Sequence, residues 1–595
     1  MTTYRAPLRD MRFVLHELLE AEGRFAELPG FEEATADIMD AVLEEAAKLC
    51  ETVVFPTNRT GDIEGCTFED GEVRTPTGFK EAYRALAEGG WTALACDPEY
   101  GGQGLPNTLC VFFEEMLQSS NMALGLYPGL TRGAYVAIRA HGTDEIKQSY
   151  LPKLVDGSWS AVMCLTESHC GTDLGLLRTR AQPAGDGTYR INGTKIFITG
   201  GEHDMTENIV HLVLARLPDA PPGVKGISMF LVPKFVVGAD GSLGRRNTVA
   251  CGSIEHKMGI KGASTCVMNY EDAVGYLLGE EHKGLSAMFS MMNHERLMVG
   301  QQGLSLAEVA YQSAAEYAKD RLQGRALGGA KFPDKPADPI IVHPDVRRML
   351  LTGRAYNEAA RALMGRAALE ADIAERHPDA QAREAAEDFL GLMTPVVKAF
   401  FTDYGSEVCN LSLQVFGGHG YISEWGMEQL VRDARIAQIY EGANGIHALD
   451  LVGRKLPMHD GRLIKRYLAE LAGFLDEHRD DAALGEFTGP LAAAVRELEA
   501  TTRWIAKAAR TNPEEIGAAS YDYLRLLALV ALGHMWARTA AIALARAPGD
   551  NTGFYDGKLK VARFYMKRLL PQTAALAVSV RSGGDSLMAL DADAF

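Results

Sequence analysis

A chain of 595 residues with 60 lysines and arginines against 78 aspartates and glutamates carries a net charge of −18. That length exceeds one hydrophobic core and suggests about three to five domains, while the acidic balance argues against a general binder of nucleic acid or another polyanion. Nine scattered cysteines without a CxxC pair indicate neither a disulfide framework nor a zinc ribbon, so a reducing, cytoplasmic compartment is expected.

The first 160 residues read as a helical domain. Apolar residues recur at helical spacing from Phe31 to Val53 and again from Phe112 to Leu126. Gly101-Gly102-Gln103-Gly104 reads as a loop between helices, because no Lys-Ser/Thr follows to make a phosphate cradle. No apolar run follows a basic start at the N-terminus, so no secretory signal is visible.

From 161 to 283 the pattern changes to short β-branched and aromatic runs. These are Tyr189 to Thr199, Asn208 to Leu217, Gly226 to Pro233 and Thr265 to Tyr270, separated by turn residues such as Ala184-Gly-Asp-Gly. They predict a β domain.

Residues 284–456 return to helical periodicity. Val346, Met349, Leu350, Tyr356, Ala360, Leu363 and Met364 trace one face of a long helix; residues 385–413 form another, with Pro395 as a kink or first-turn residue. A third helix runs from about Met427 to Gln438, and the set suggests an antiparallel bundle. Lys455-Leu456-Pro457 marks a break before an additional helical domain over 457–595, with a loose tail from Ser582. Its most apolar uncharged stretch, 12 residues between Arg525 and Arg538, is short of the roughly 20 that span a bilayer and reads as a buried helix.

Three segments carry chemistry. They are Met163-Cys-Leu165-Thr166-Glu-Ser-His-Cys-Gly171-Thr172-Asp173, then Asn192-Gly-Thr-Lys-Ile-Phe197-Ile198-Thr199-Gly-Gly201, and finally Gln414-Val-Phe-Gly417-Gly418-His-Gly-Tyr421 running on through Arg432-Asp433 to Ile439-Tyr440-Glu441-Gly442. Glu202-His203-Asp204 and His282-Lys283 lack metal-ligand spacing and read as solvated turns, so no metal is expected. Cys170 reads as a packing residue rather than a nucleophile.

In order and spacing, the three segments resemble the acyl-CoA dehydrogenase family, from about residue 30 to 456. The resemblance implies an α+β fold: an N-terminal helical domain, a middle β-barrel or sandwich domain, and a C-terminal four-helix bundle, here followed by the additional helical domain. It implies FAD as cofactor and α,β-desaturation of an acyl-CoA thioester, with Glu441 as the base for the α-proton and the flavin as hydride acceptor. By the same resemblance the Glu441 backbone N–H and a flavin ribityl hydroxyl form the oxyanion hole.

FAD contacts are expected from Met163, Leu165, Thr166, Gly171, Thr172, Phe197, Ile198, Thr199, Arg321, His343, Gln414, Gly417, Gly418 and Asn444, those of Arg321 and Gln414 to Gly418 reaching across a subunit contact. Substrate contacts are expected from Thr172, Asn293, Arg296 and Gly442. Ser168 and Ala443 depart from the common Pro and Thr, and a Gly/Pro-rich stretch is inserted between Arg325 and His343.

The chain further resembles a long bacterial branch that includes 3-methylmercaptopropionyl-CoA dehydrogenases, of dimethylsulfoniopropionate degradation, through Glu255-His-Lys-Met-Gly-Ile-Lys-Gly among other segments. The expected partners are an acyl-CoA, an electron-transfer flavoprotein and a second copy in a homodimer. The alternatives are a medium- or long-chain fatty acyl-CoA dehydrogenase, an oxidase passing electrons to oxygen, and a non-catalytic DNA-binding relative. The last would need a basic C-terminal module, whereas charges over 458–595 are near balance.

Overall fold

The computed structural model describes residues 2–238 and 240–595. They form two compact units: one comprises residues up to Ala47, Asn107–Glu115 and Val299–Phe595, the other Lys48–Pro106 and Met116–Met298.

The second unit contains the β domain. The strands Thr265–Leu278, Tyr189–Thr199, Arg180–Pro183, Asn208–Arg216 and Ile227–Pro233 pair successively, and Ile227–Pro233 pairs back onto Thr265–Leu278, closing a five-stranded ring. Val249–Ile254 and Trp159–Cys164 extend it on either side, the latter parallel to Asn208–Arg216. Ile227–Pro233 is buried at every residue, as expected of a strand covered on both faces. Within the ring every strand is paired on both sides, so the ring itself presents no edge.

The helical expectation for the first 160 residues is interrupted once. Thr67–Glu69 and Glu72–Arg74 form a hairpin around Asp70 and Gly71, both at positive φ (51° and 82°). A two-residue Asp-Gly loop suits the twist of a hairpin, and this signal was legible in the sequence.

The first unit is helical. Pro344–Arg376 buries the apolar face read from the sequence, and Ala380–Phe416 runs beside it. Pro395 lies inside Ala380–Phe416 and is buried there, not in a first turn; Thr394 Oγ1 donates to the carbonyl of Leu390 at 2.7 Å in that stretch.

The C-terminal helices are Met458–Glu477, Gly485–Thr511, Glu514–Arg546, Phe554–Phe564 and Gln572–Arg581. Glu514–Gly549 is apolar enough by composition to cross a membrane, with mean hydropathy 1.5, but 83% of its most apolar window is buried inside the fold. Trp536 on this helix donates its indole N–H to the Ala355 carbonyl at 3.0 Å, tying the module to the bundle. The expected loose tail contains a short helix, Asp585–Met588.

Candidate functional site

Two sets of the expected residues are built by local structure, one in each unit. In the β-containing unit, Trp159–Cys164 leads into the turn Glu167–Cys170, closed by reciprocal backbone hydrogen bonds of 3.0 Å. The Glu167 side chain organises the backbone beyond this turn. Its oxygens accept from the backbone N–H groups of Arg178 (2.7 Å) and Thr179 (3.0 Å), from Thr179 Oγ1 (2.6 Å) and from Lys195 Nζ (2.8 Å).

Lys195 is fully buried and also donates to the Leu165 carbonyl at 2.9 Å, while the Ile196 N–H donates to the Thr166 carbonyl at 2.9 Å. The loop is thereby stitched to the strand Tyr189–Thr199. Burial alone would raise the Glu167 pKa; the Lys195 ammonium and the hydrogen bonds outweigh it and pull it down to about 2.

On that strand Phe197 stands apart. It has φ of 60° and is 59% exposed, although the next residue, Ile198, packs into the barrel. Thr166, Met163, Leu165 and Thr199 are half-buried around the same strand ends, and Gly171 and Thr172 are exposed. An aromatic ring presented to solvent beside two threonines and an ordered loop fits the face of a flavin ring. Ile198 points the other way, with its side chain in the barrel core, which leaves only its backbone for a ligand. Asn293 is exposed and Arg296 half-buried on Gly284–Asp320, with Arg296 Nη1 3.4 Å from Asn293 Oδ1.

In the helical unit Glu441 sits on a tight loop between Met427–Ala437 and Asn444–Asp450. It is a non-glycine residue at φ of 53°, followed by Gly442 at 85°. A Cβ on Gly442 would lie 2.9 Å from His447 Nε2, so glycine is required there by both conformation and space. His447 Nε2 donates to the Glu441 carbonyl at 2.8 Å, and buried Lys398 donates to the Gly442 carbonyl (2.6 Å) and to Asn444 Oδ1 (2.9 Å). Asp403 Oδ1 accepts from Gln438 Nε2 (2.7 Å) and Asn444 Nδ2 (2.8 Å). Glu441 itself is half-buried.

Known proteins share this arrangement at the level of whole domains. Family models of the acyl-CoA dehydrogenase N-terminal, middle and C-terminal domains match residues 39–158, 162–273 and 282–456, and one described as acetyl-CoA dehydrogenase C-terminal like matches 467–591. The 3-methylmercaptopropionyl-CoA dehydrogenase of Ruegeria pomeroyi is 42% identical, over 98% of this chain and 99% of its own. The chain belongs to the acyl-CoA dehydrogenase family. The broad-specificity linear acyl-CoA dehydrogenase FadE5 of Mycobacterium tuberculosis is 33% identical over the full length of both chains. A crystal structure of an acyl-CoA dehydrogenase complexed with FAD from Bacillus anthracis shares the fold, with a TM-score of 0.74 at 21% identity over 93% of this chain and 90% of that one.

As an acyl-CoA dehydrogenase the chain is an oxidoreductase, and the family's motif residues can be located one by one. Tyr317 stacks on Phe416 at 4.1 Å and bonds His419 Nδ1 at 2.9 Å, so Arg321, one turn further on, shares one end of the bundle with exposed Gln414, Gly417 and Gly418. His343 Nε2 donates to the Gln323 carbonyl at 2.9 Å. The inserted stretch before it is ordered: buried Asp338 accepts from the N–H groups of Ala326, Lys331 and Phe332 and from Arg325.

Asn444 fastens the loop: its side-chain amide donates to Ala399, Thr402 and Asp403 and its oxygen accepts from Lys398. Glu202 and His203 correct one expectation, being 2% and 1% exposed rather than in a solvated turn. Glu202 pairs with Lys234 and Arg246. His203 accepts the Met205 N–H on Nδ1, so its Nε2–H donates to Ser160 Oγ at 2.9 Å, the wrong tautomer to activate that serine. Burial pushes the Cys170 thiol up, in keeping with a packing role.

Lys398, Asp403, Gln438 and His447 escaped the sequence reading. The available signal was Lys398, a lone cation in the run Val396-Val-Lys-Ala-Phe-Phe401.

Proposed function

We propose that this acyl-CoA dehydrogenase desaturates a short acyl-CoA between Cα and Cβ, with Glu441 as the base that takes the α-proton. The observation that carries the reading is the Glu441 loop. A carboxylate is held at positive φ by a buried lysine, a histidine and an aspartate, and such over-determined backbone collects at functional sites. FAD, when bound, supplies the acceptor for the β-hydrogen and its electron pair, so that the electrons of the broken α C–H bond form the double bond.

The protein's part is positioning and electrostatics. Glu441 receives the proton on its carboxylate. The turn fixed by Glu167 and Lys195 holds Met163, Leu165, Thr166 and Thr172 for the flavin, with Phe197 offering a ring to stack. Asn293 and Arg296 present an amide and a guanidinium for CoA.

The 42% identity to a 3-methylmercaptopropionyl-CoA dehydrogenase supports that short thioether acyl-CoA as the substrate. We further take the electron acceptor to be an electron-transfer flavoprotein, the compartment the cytoplasm, and the assembly a homodimer. Tyr421 and Ile422, 82% and 48% exposed beside Gln414–Gly418, support a second copy at that end of the bundle.

The test is anaerobic flavin bleaching with 3-methylmercaptopropionyl-CoA, butyryl-CoA and a long straight-chain acyl-CoA. Glu441→Gln is expected to keep its FAD and bind acyl-CoA while bleaching at least about a hundredfold more slowly. A protein that takes up no FAD, or a variant that bleaches at the original rate, would falsify the assignment. Rapid peroxide formation without an electron-transfer flavoprotein would select an oxidase instead.

A further inference from the structure

Gln438 and Asn444 bracket the Glu441 loop, and both side-chain amides donate to one oxygen of Asp403. The other oxygen, Oδ2, accepts from Tyr521 OH at 2.6 Å. Tyr521 lies on Glu514–Arg546, in the module beyond the bundle. A carboxylate torsion is broad and roughly two-fold on its own. Three donors divided over its two oxygens fix it, and the phenol is the one that comes from outside the bundle.

A second contact links the same two parts. A Cβ on Gly453, in the turn after Asn444–Asp450, would lie 3.3 Å from Ile516 Cγ2, near the start of the Tyr521 helix. The module thus bears on both flanks of the segment that carries the base.

We propose that Tyr521 is a positioning residue for Glu441: through Asp403 the additional C-terminal module holds Gln438 and Asn444, and with them the aim of the base. The proposal rests on Glu441 being the base. It assigns the module a part in the rate of proton removal, while the groups expected to bind CoA, Asn293 and Arg296, lie on a different helix. Removing the phenol hydroxyl frees the Asp403 carboxylate to rotate, and the loop then holds Glu441 in its left-handed conformation less firmly.

The test uses the full-length, FAD-loaded enzyme and stopped-flow bleaching over a range of acyl-CoA concentrations. Tyr521→Phe, which keeps the ring, is expected to lower the limiting rate about tenfold, since small misplacements of a catalytic group cost rate steeply. The half-saturating acyl-CoA concentration, the FAD content and the melting temperature stay at wild-type values. Asp403→Asn lowers the rate further, and the double variant is no slower than Asp403→Asn alone, as for residues acting through one another.

A Tyr521→Phe enzyme with the wild-type limiting rate overturns the proposal. So do losses in the two single variants that simply multiply, or a rate loss accompanied by equal loss of FAD and melting temperature. Failure of the underlying reading looks different: Glu441→Gln then bleaches like the parent, and the proposal falls with it.

Discussion

Lys195 shows how much one buried charge can organise. Its ammonium neutralises Glu167, and together they join the turn at 167–170, the backbone at 178–179 and the strand Tyr189–Thr199. Lys195→Met leaves a buried carboxylate without its cation, which costs about 3–5 kcal/mol, whereas changing the pair together to Met and Gln is far gentler. Thermal melting and FAD retention should both fall in the single variant and recover in the double; equal losses in both would contradict this account. Both residues stood inside the motifs read from the sequence, yet their partnership was not legible, because 28 positions separate them and only the fold brings them together. Glu441 and its glycine were legible because they are adjacent. Asp403 and Tyr521, 118 positions apart and each unremarkable alone, gave no signal.

Helices announce themselves by period, and their ends are less legible. Asn107–His141 begins after Pro106, which has no side chain able to cap it. The cap comes from Asp372 on Pro344–Arg376, whose carboxylate accepts the N–H groups of Asn107 and Thr108 and the Thr108 hydroxyl. Burial pushes the Asp372 pKa up to about 6 against the opposing pull of those hydrogen bonds. Asp372→Ala removes the cap and strands buried donors, at a cost of about 2–4 kcal/mol. Asp372→Asn, which keeps an acceptor, should lower the melting temperature less; the reverse order would argue against capping.

Strands were harder to read than helices. Arg180–Pro183 and Leu243–Arg246 are largely or wholly exposed, so no alternation marks them. Trp159–Cys164 is buried on both faces and paired in parallel to a strand more than 40 positions on, a relation that periodicity does not encode.

Across the helical unit, the order of domains was visible in composition, but the device that locks them was not. Arg361, 1% exposed, meets Glu115 at 2.5 Å, Glu308 at 3.0 Å and Asp10, while Lys558 joins Asp10 to Glu358. The cluster draws on the start of the chain, three long helices and the C-terminal module. Arg361→Met leaves several buried carboxylates without their cation and should destabilise by about 3–5 kcal/mol or prevent folding.

Its pH dependence has a definite sign. Burial, only partly opposed by Arg361, raises the Glu115 pKa from 4.5 to about 7. The folded chain therefore keeps a proton that the unfolded chain releases, and this contribution to stability is full below 4.5 and lost as the pH rises through 7. Glu115→Gln should flatten the fall of melting temperature between about pH 5 and about pH 8; an unchanged slope would assign the titration elsewhere.

Lys558 also has a bearing on synthesis. A ribosome delivers Asp10 and Arg361 well before Lys558, the second cation that Asp10 meets, so the ionic centre of the bundle is complete only once the last module emerges. Cutting the last module away to make a shorter catalyst would remove Lys558, leave Asp10 to Arg361 alone and leave Glu358 without its buried ammonium.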